Sequence, residues 1–306
     1  MRCMNYCVMT GVLLTLCAAR LPLSAADGLE LRAEQKADRI VIYVGQDVFT
    51  EYLFLDTEKY PYFFPVNGPI TLQGVTTKRE TNYPHHSSLF FGCDQVNGGN
   101  YWQEGLDRGR IISKGVKIVT GQGREVVFEQ QCSWERPGAE SPFDDQRRIR
   151  LAAPTRELRY IDFEITLTPK IDVVIRKTNH SLFSARMKPG LSVKGGGRLR
   201  NAQGDSGEKD TFGKTSPWMD ARGKNGDAVE GLAILNHPKN RWSIPQWFTR
   251  DYGFFSPAPM NWLDKDGLKL AKGEKLNLRY RVLVHAGDPA MNVIEAEYQK
   301  WAAADR

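Results

Sequence analysis

Imidazole, carboxylate, amide and indole side chains crowd into one stretch in the first half of the sequence. Within twenty residues this stretch holds His85, His86, Asp94, Asn97 and Trp102. Because an imidazole changes charge near neutral pH, one histidine could act as a general base and another as a general acid. The alternative is a hydrogen-bonded histidine pair at the start of a strand, which would direct the two rings to opposite faces. The density of reactive groups favours a functional site.

Two later segments add further candidates. His180 and Arg186 lie in a strand-like run, whereas His237 follows an apolar run and precedes several aromatic residues. Aromatic rings stack on the C–H faces of sugars, and Arg, Asn and Asp side chains bond sugar hydroxyls. The pattern predicts a sugar or glycoside site, although each tryptophan alone is equally typical of a buried core. The candidate catalytic residues are His85, His86, His180 and His237, and the candidate substrate-binding residues are Asp94, Asn97, Trp102, Arg186, Trp218, Arg250 and Tyr252.

The sequence lacks the short motifs of several other enzyme classes. It contains no HExxH, no GxSxG and no Walker-type lysine loop, and the glycines at 195–197 lack the strand–glycine–helix context of a dinucleotide site. No cofactor is predicted, and a divalent metal held by two or three histidines is the alternative. Paired glycosidase carboxylates are placed by the fold rather than by spacing. The candidates for such a pair are Glu80, Asp94, Glu104, Asp220 and Asp251.

Strands must hold these residues, because apolar and polar residues alternate along much of the chain. In 160–168, the residues at 161, 163, 165 and 167 are apolar, and polar or charged residues lie between them. Such alternation is typical of half-buried antiparallel strands, here separated by Gly- and Pro-containing turns. The prediction is an all-β fold, a large antiparallel β-sandwich. The predicted strands cover 29–33, 39–44, 48–55, 111–120, 125–135, 147–152, 160–168, 172–177, 231–235 and 275–285.

One helix and one long loop complete the predicted architecture. Asp288 can cap a C-terminal helix that has Pro289 in its first turn. The apolar stripe of this helix consists of Met291, Ile294, Tyr298 and Trp301, and it should pack against the sandwich. The polar region 195–226 is predicted to be a long loop that is functional or mobile.

Residues 1–26 are typical of a secretory signal peptide. Arg2 precedes an apolar run, and small residues precede Asp27. We therefore expect export to the periplasm or the medium, which leaves 27–306 as a single β-sandwich domain without a membrane span. Lipidation at Cys17 is the weaker alternative, because the bulky Leu16 occupies the position before it.

Composition and charge narrow the classes of function. Of the 306 residues 25% are charged and 41% hydrophobic, which are values of ordinary globular proteins. The net charge is +6, but Lys and Arg are scattered among acidic residues, so no nucleic-acid groove is predicted. After signal cleavage Cys93 and Cys132 remain, and they could form one disulfide or be two separately buried thiols. No pattern predicts an oligomeric state.

Ordered motifs extend over nearly the whole chain after the signal peptide. They are YPYFFP (60–65), PHH (84–86) continued to NG (97–98) and Trp102, TNHSLFSAR (178–186), GKTSPW (213–218), GLAILNHPKN (231–240) and RDYG (250–253). On these motifs the chain resembles the DUF6807 family, which is also catalogued under a methane-oxygenase-subunit name. The resemblance implies an exported β-sandwich protein of bacterial carbohydrate utilisation, with a supersandwich build like that of galactose mutarotase. A methane oxygenase subunit would need membrane spans or a copper-ligand set, whereas this sequence has only five scattered histidines.

The chain departs from the family pattern at these same clusters. Relatives often have Lys-Glu where this chain has Asn179 and His180, a further basic residue at Ser87, and Asp at Asn236. An acid at position 180 would suit general-base or metal duty. His180 can serve either purpose, so the departure puts a carboxylate-specific mechanism in doubt.

Three functional hypotheses follow. The first is an exported hydrolase, lyase or epimerase that uses histidines as acid and base, with Arg186 and Arg250 binding an acidic or oxyanionic group. The second is a non-catalytic glycan-binding module, which needs the same aromatic and Arg side chains but no proton transfer. The third is a metal site on two or three histidines. The most useful observation is whether His85 or His86, His180 and His237 lie in one cleft, since the first and third hypotheses both fail if these histidines are scattered over the surface.

Overall fold

The computed structural model describes residues 28–103 and 105–304. The signal peptide predicted for 1–26 and the candidate carboxylate Glu104 lie outside the described residues. The strands are β1 (Leu31–Gln35), β2 (Arg39–Val44), β3 (Asp47–Leu53), β4 (Tyr62–Val66), β5 (Lys78–Glu80), β6 (Tyr83–Ser87), β7 (Leu89–Cys93), β8 (Arg110–Thr120), β9 (Gln122–Gly123), β10 (Glu125–Glu135), β11 (Phe143–Thr155), β12 (Leu158–Pro169), β13 (Val173–Ile175), β14 (Ser181–Arg186), β15 (Arg198–Asn201), β16 (Trp218–Asn225), β17 (Ala228–Asn236), β18 (Trp247–Arg250), β19 (Phe254–Pro257), β20 (Leu268–Leu270) and β21 (Leu276–Ala286). The helices are α1 (Gly207–Thr211) and α2 (Met291–Ala303), with single 3-10 turns at Leu106–Arg108, Pro189–Leu191, Val193–Gly195 and Pro259–Trp262.

Two large sheets contain most of the strands. One has nine strands in the order β18-β19-β14-β7-β4-β3-β2-β1-β9, and the other has eight in the order β15-β16-β17-β21-β12-β11-β10-β8. The longest pairings, β10 with β11, β11 with β12 and β12 with β21, are all antiparallel. The prediction of an all-β antiparallel sandwich with a C-terminal helix is confirmed.

The core lies between the two sheets and follows the alternation seen in the sequence. The apolar residues of β12, at 161, 163, 165 and 167, are all buried. Phe163 contacts Phe183 of β14 and Phe91 of β7, with ring centroids 4.9 and 5.9 Å apart. Since Phe183 and Phe91 face inward, the alternate residues Ser184 and Phe90 face the outside of the nine-stranded sheet.

Helix α2 packs on the outer face of the eight-stranded sheet. Its residues Ile294, Tyr298 and Trp301 are buried together with Trp218, Leu235 and Leu283 of the sheet. The predicted stripe is therefore correct at three positions, whereas Met291 is 38% exposed.

The predicted start of this helix was wrong. Ala290 occupies the N-cap position, and Asp288 instead forms an ion pair with Arg222 of β16. The opposite charge of the guanidinium stabilises the Asp288 carboxylate in this position, so Asp288 does not cap the helix.

The polar region 195–226 is not a long loop. It contains β15, α1 and all of β16, and β15 and β16 form an edge of the eight-stranded sheet. Its polar residues are used in charge pairing: Asp220 accepts from Arg200 and Arg222 at 3.0 and 2.7 Å. Polar composition alone therefore gave a wrong prediction here, because buried ion pairs can replace apolar side chains on a sheet face.

Two further findings concern cysteines and membranes. Cys93 and Cys132 are both buried free thiols, so the disulfide alternative is not realised. Within the part of the chain that the structure describes, no helix is long and apolar enough to cross a membrane.

Candidate functional site

The site is built on a small hairpin that covers the outer face of the nine-stranded sheet. Strands β5 and β6 form a separate two-stranded sheet. Thr77 N–H donates to the carbonyl of Arg186 on β14, at 3.0 Å. The Thr76 and Ser88 hydroxyls, which flank the hairpin, are 2.7 Å apart. These contacts hold the hairpin against the end of β14, where Ser184 and Arg186 face outward.

Three imidazoles meet between the hairpin and the sheet. The rings of His85 and His86 are 4.4 Å apart and edge-on, although the two residues are neighbours in β6. The His85 ring is 5.8 Å from that of His180, which immediately precedes β14. His86 is only 3% exposed and stacks on Phe254 of β19, with centroids 4.5 Å apart. The histidines therefore form one contiguous row.

A carboxylate stands at one end of this row. The Nδ1 atom of His180 is 3.7 Å from Oδ2 of Asp94, which is too long for a hydrogen bond but close enough for an ion-pair contact. The other oxygen of Asp94 accepts from the backbone N–H of Gln95, at 2.5 Å. Asp94 is thus fixed by its own turn and can orient the imidazole of His180.

Burial sets the protonation of two of the three imidazoles. It lowers the pKa of His86 to about 2, and the positive charges that His85, Arg186 and His180 can carry act in the same direction. Burial also lowers the pKa of His85, and the positive charge that His180 can carry lowers it further. His86 is therefore neutral at any working pH, and no other described residue hydrogen-bonds its buried Nδ1 atom. His85 is neutral at and above neutral pH and can accept a proton.

A cleft of about 430 Å³ lies next to this region, and Tyr83 and Tyr252 of its lining stack on His86, whereas none of the three histidines belongs to the lining itself. The Tyr83 and Tyr252 rings stack on each other at 4.1 Å, and both lie within 5.0 Å of the Arg186 guanidinium. Arg186 donates to Glu80 at 2.5 Å and to the carbonyl of Tyr252. Tyr83 also stacks on His86, at 5.2 Å, and so joins the cleft to the histidines. Burial, and then Tyr83, raise the pKa of Tyr252 to about 12, so its hydroxyl stays protonated.

Seven of the predicted residues come together in this region, and four do not. Trp102 belongs to the region but is fully buried, between Phe90 and His180, so its ring supports the site from below. The residues brought together are His85, His86, Asp94, Trp102, His180, Arg186 and Tyr252. Those placed elsewhere are Asn97, Trp218, His237 and Arg250.

His237 and Trp218 lie on the opposite side of the sandwich. His237 directly follows β17, an interior strand of the eight-stranded sheet, and contacts the Trp301 ring of α2 edge-on, at 4.8 Å. Trp218 is fully buried under the same helix and donates to Glu295 at 2.8 Å. The four candidate catalytic histidines therefore do not share one cleft.

Asn97 and Arg250 each have partners that give the residue a structural role outside the candidate site. Asn97 has a positive φ of 46°, and its side chain bonds the backbone of Asp172 and Val174. The Arg250 guanidinium lies 4.1 Å from the Phe248 ring centroid and pairs with Glu208 at 3.1 Å.

Sequence reasoning missed Tyr83 and Phe254, and it selected Glu80 only as one of several carboxylates. Tyr83 directly precedes the Pro-His-His run. Its contact with Tyr252 could not be predicted from the sequence, because the two residues are far apart along the chain. The fifth histidine, His285, was also not selected. It lies 2.9 Å from Asp220 in a buried cluster with Arg222, away from the row of imidazoles.

The metal alternative lacks a ligand set. No group of three or more His, Cys, Asp or Glu side chains within 28–103 and 105–304 is arranged to hold a metal ion. In the row of imidazoles the rings contact one another directly, whereas metal ligands must direct their nitrogen atoms at one common point.

A model described as "Family of unknown function (DUF6807)" matches residues 39–299. No curated protein matches the chain. Among solved structures, the chain is similar to a putative aldose 1-epimerase from Escherichia coli K12 at 12% identity, with 84% of this chain and 98% of that chain covered and a TM-score of 0.34. It is similar to galactose 1-epimerase from Lactobacillus acidophilus NCFM at 9% identity, covering 86% and 100%, with a TM-score of 0.39. It is also similar to heparan sulfate lyase HepC from Pedobacter heparinus at 11% identity, covering 82% and 34%, with a TM-score of 0.33. Likeness at this level assigns no activity to the chain.

Proposed function

The chain belongs to the DUF6807 family, whose function is unknown, and we propose from its own residues that it is an exported carbohydrate-active enzyme, a hydrolase, lyase or epimerase. The observation that carries the proposal is the row Asp94–His180–His85–His86 beside a polar cleft with two tyrosines. Proton transfer to and from a sugar needs groups that titrate near working pH, and imidazoles do so.

The proposed roles follow from exposure and charge. His85 is half-buried and neutral, so it serves as the general base. His180, with its side chain 24% exposed and Asp94 beside Nδ1, serves as the second proton-transfer group. His86 is a neutral positioning residue that packs against His85 and does not itself exchange protons with substrate.

The cleft supplies groups that suit a sugar. The guanidinium of Arg186 is buried and already donates to Glu80 and to the Tyr252 carbonyl, so it supplies positive charge to the cleft. The Tyr83 and Tyr252 hydroxyls can donate or accept. Lys194 and Asn82 line the same cleft. These side chains bond hydroxyls, and an oxyanion that develops on the substrate would be stabilised by Arg186.

Export is part of the proposal and rests on the sequence of residues 1–26. The expected result is cleavage after Ala26. N-terminal sequencing of protein recovered from the periplasm or the medium should begin at Asp27, and a chain retained inside the cell with Met1 intact would contradict export.

The activity is tested by assaying the purified protein on glycosides, 3-keto-glycosides and aldoses. We expect turnover of at least one class, and a loss of kcat/KM of about 100-fold or more in His85→Ala and in His180→Ala. Asp94→Asn should lose less, because it only orients His180. Lys36→Gln, a surface change in the β1–β2 turn, is the control and should keep full activity. Turnover that survives both histidine substitutions would show that these histidines are not the catalytic pair.

A non-catalytic glycan-binding module is the second candidate function. It is favoured by one observation, that Arg186 is held by Glu80 and Tyr252 and so forms part of a preset binding surface. In that case no sugar is turned over, and the affinity for a bound glycan does not change between about pH 5 and 8, where accessible histidines change charge. Binding that weakens between about pH 8 and 5 would favour the enzyme.

A further inference from the structure

A second recess lies on the other side of the sandwich, over the middle of the eight-stranded sheet. It has a volume of about 790 Å³ and is walled by α2 on one side and by β10, β11, β12 and β21 below. A smaller recess of about 310 Å³ continues it along the same strands, and the two share Arg148 and Glu164. From Ala152 to Gln146 of β11 the combined groove is about 20 Å long.

The groove carries an excess of positive charge. Six cationic side chains and three carboxylates line the larger recess. Arg150 and Arg281 are committed to Asp162, with hydrogen bonds between 2.5 and 3.0 Å. Arg150 also donates to Glu125 at 2.6 Å. Glu164 is therefore the lining carboxylate that is left to offset Arg148, Arg279 and Lys300, and the charge available to a ligand is positive.

Two arginines are available to a ligand in the centre of the groove. Arg279, Glu164 and Arg148 are opposite one another on β21, β12 and β11, so their side chains stand in one row across the sheet. Among the described residues the Arg279 guanidinium has no hydrogen bond or ion pair. Arg148 pairs with Glu129, and both side chains of that pair are about half exposed, at 49% and 48%. An exposed pair of this kind is weak, and a ligand carboxylate can replace it.

The lining favours an oligosaccharide over a peptide. Peptides dock by adding a strand to a sheet edge or by placing apolar side chains in a groove. Here the strands below are paired on both sides, so they offer no edge. The floor of the smaller recess presents Gln131, Gln146 and Thr166, which bond hydroxyls rather than apolar groups.

We propose that this groove binds an acidic oligosaccharide, a chain of sugar units that carry carboxylates, through Arg148, Arg279 and Lys300. Guanidinium groups bind carboxylates through two parallel hydrogen bonds, which suits sugar units that carry one carboxylate each. His237, at the helix end of the groove, lies beside this ligand. The site is independent of the proposed enzymatic function, because it lies on the other sheet from His85 and His180.

The test is calorimetric titration of the whole protein with trimers of galacturonate, glucuronate, mannuronate and guluronate. We expect at least one trimer to bind, its methyl ester not to bind, and the affinity to fall about tenfold or more in Arg279→Gln and in Arg148→Gln. Lys36→Gln removes one positive charge from the other sheet and should bind as the unchanged protein does. His180→Ala should also bind normally, which separates this site from the proposed catalytic one.

Three results would overturn the proposal. The first is that none of the four acidic trimers binds. The second is that the methyl ester binds as tightly as the acid, because binding would then not depend on contacts between the arginines and the ligand carboxylates. The third is that hexa-aspartate binds as tightly as the best trimer and competes with it, which would make the groove a general anionic or peptide surface. Circular dichroism of each variant checks that the fold is intact.

Discussion

Three imidazoles in contact cannot all carry a proton without repelling one another, and burial decides which of them stays neutral. His86 is enclosed by Phe254, Tyr83 and His85, and burial lowers its pKa to about 2. In the unfolded chain the same side chain would titrate near 6.5. The difference makes His86 a source of acid sensitivity for the folded protein.

The sign of this effect is fixed by proton uptake. Between about pH 6.5 and 2 the unfolded chain holds a proton on His86 that the folded protein does not, so the free energy of unfolding falls as the pH falls. The loss is at most about 1.4 kcal/mol per pH unit, or about 2 kcal/mol between pH 6.5 and 5. His85, whose pKa is also lowered, adds to the loss in the same direction. Urea unfolding at both pH values measures it.

His86→Phe keeps an aromatic ring against Phe254 but cannot take up a proton. Its free energy of unfolding should therefore fall less between pH 6.5 and 5, by about 1–2 kcal/mol relative to the unchanged protein. Lys36→Gln should keep the original pH dependence. If His86→Phe and the unchanged protein lose equal stability on acidification, His86 is not neutral in the folded state.

At the scale of elements, one side chain of the nine-stranded sheet contacts both strands of the β5–β6 hairpin. Arg186 projects from the end of β14, pairs with Glu80 at the tip of β5, and lies against Tyr83 at the start of β6. Strands β5 and β6 form backbone strand pairs with each other, in a two-stranded sheet separate from the two large ones. A two-stranded hairpin alone is marginally stable in water, so its position depends on these tertiary contacts.

Replacing Arg186 by Lys keeps the charge but removes the planar fork and the stacking surface. We expect Arg186→Lys to lower the free energy of unfolding by about 1–3 kcal/mol and to increase amide hydrogen exchange across 78–87. Hydrogen exchange followed by mass spectrometry measures both local and global protection.

Arg250→Lys is the matched control, because Arg250 also stacks on an aromatic ring and pairs with a carboxylate. Its effect should stay near α1 and leave exchange of the hairpin unchanged. Equal exchange of 78–87 in Arg186→Lys and in the unchanged protein would mean that Arg186 does not hold the hairpin.

The elements that the sequence predicted well are those whose signal is local. The predictions for 39–44 and 125–135 agree with β2 and β10 residue for residue, because the signal of each strand, an apolar run in β2 and partial alternation in β10, lies within its own residues. The hairpin and β14 carry little alternation, and all six residues of β14 are buried, because the hairpin covers the outward face. Their assembly depends on contacts such as that between Glu80 and Arg186, which are 106 positions apart. The spacing of residues along the chain does not predict such a contact. For the same reason the sequence did not show that His237 lies apart from the other candidate histidines.

At the scale of the whole molecule, one hydrophobic core joins both sheets. The main cluster of buried residues includes members of both, among them Cys93 of β7 and Cys132 of β10. Burial raises the pKa of both thiols, so each is protected by packing and by protonation. The two cysteines therefore report on the two sheets independently.

We expect both thiols to become reactive in one transition. Alkylation with iodoacetamide at increasing urea concentration, followed by peptide mapping, should give coincident labelling curves for Cys93 and Cys132, and no labelling of either under native conditions. This result would support the prediction that 27–306 forms a single domain. Labelling of one cysteine at a clearly lower urea concentration would show that the sheets unfold separately.

The hairpin has a consequence for how this protein can diversify. It contributes His85, His86 and Tyr83 from one short contiguous segment, whereas Asp94, His180 and Arg186 come from the ends of β7 and β14. On the proposed function, exchanging the ten residues 78–87 exchanges the part of the site that this hairpin supplies. We expect hybrids that transplant this segment between homologues to need an arginine at position 186, because Arg186 contacts both strands of the hairpin.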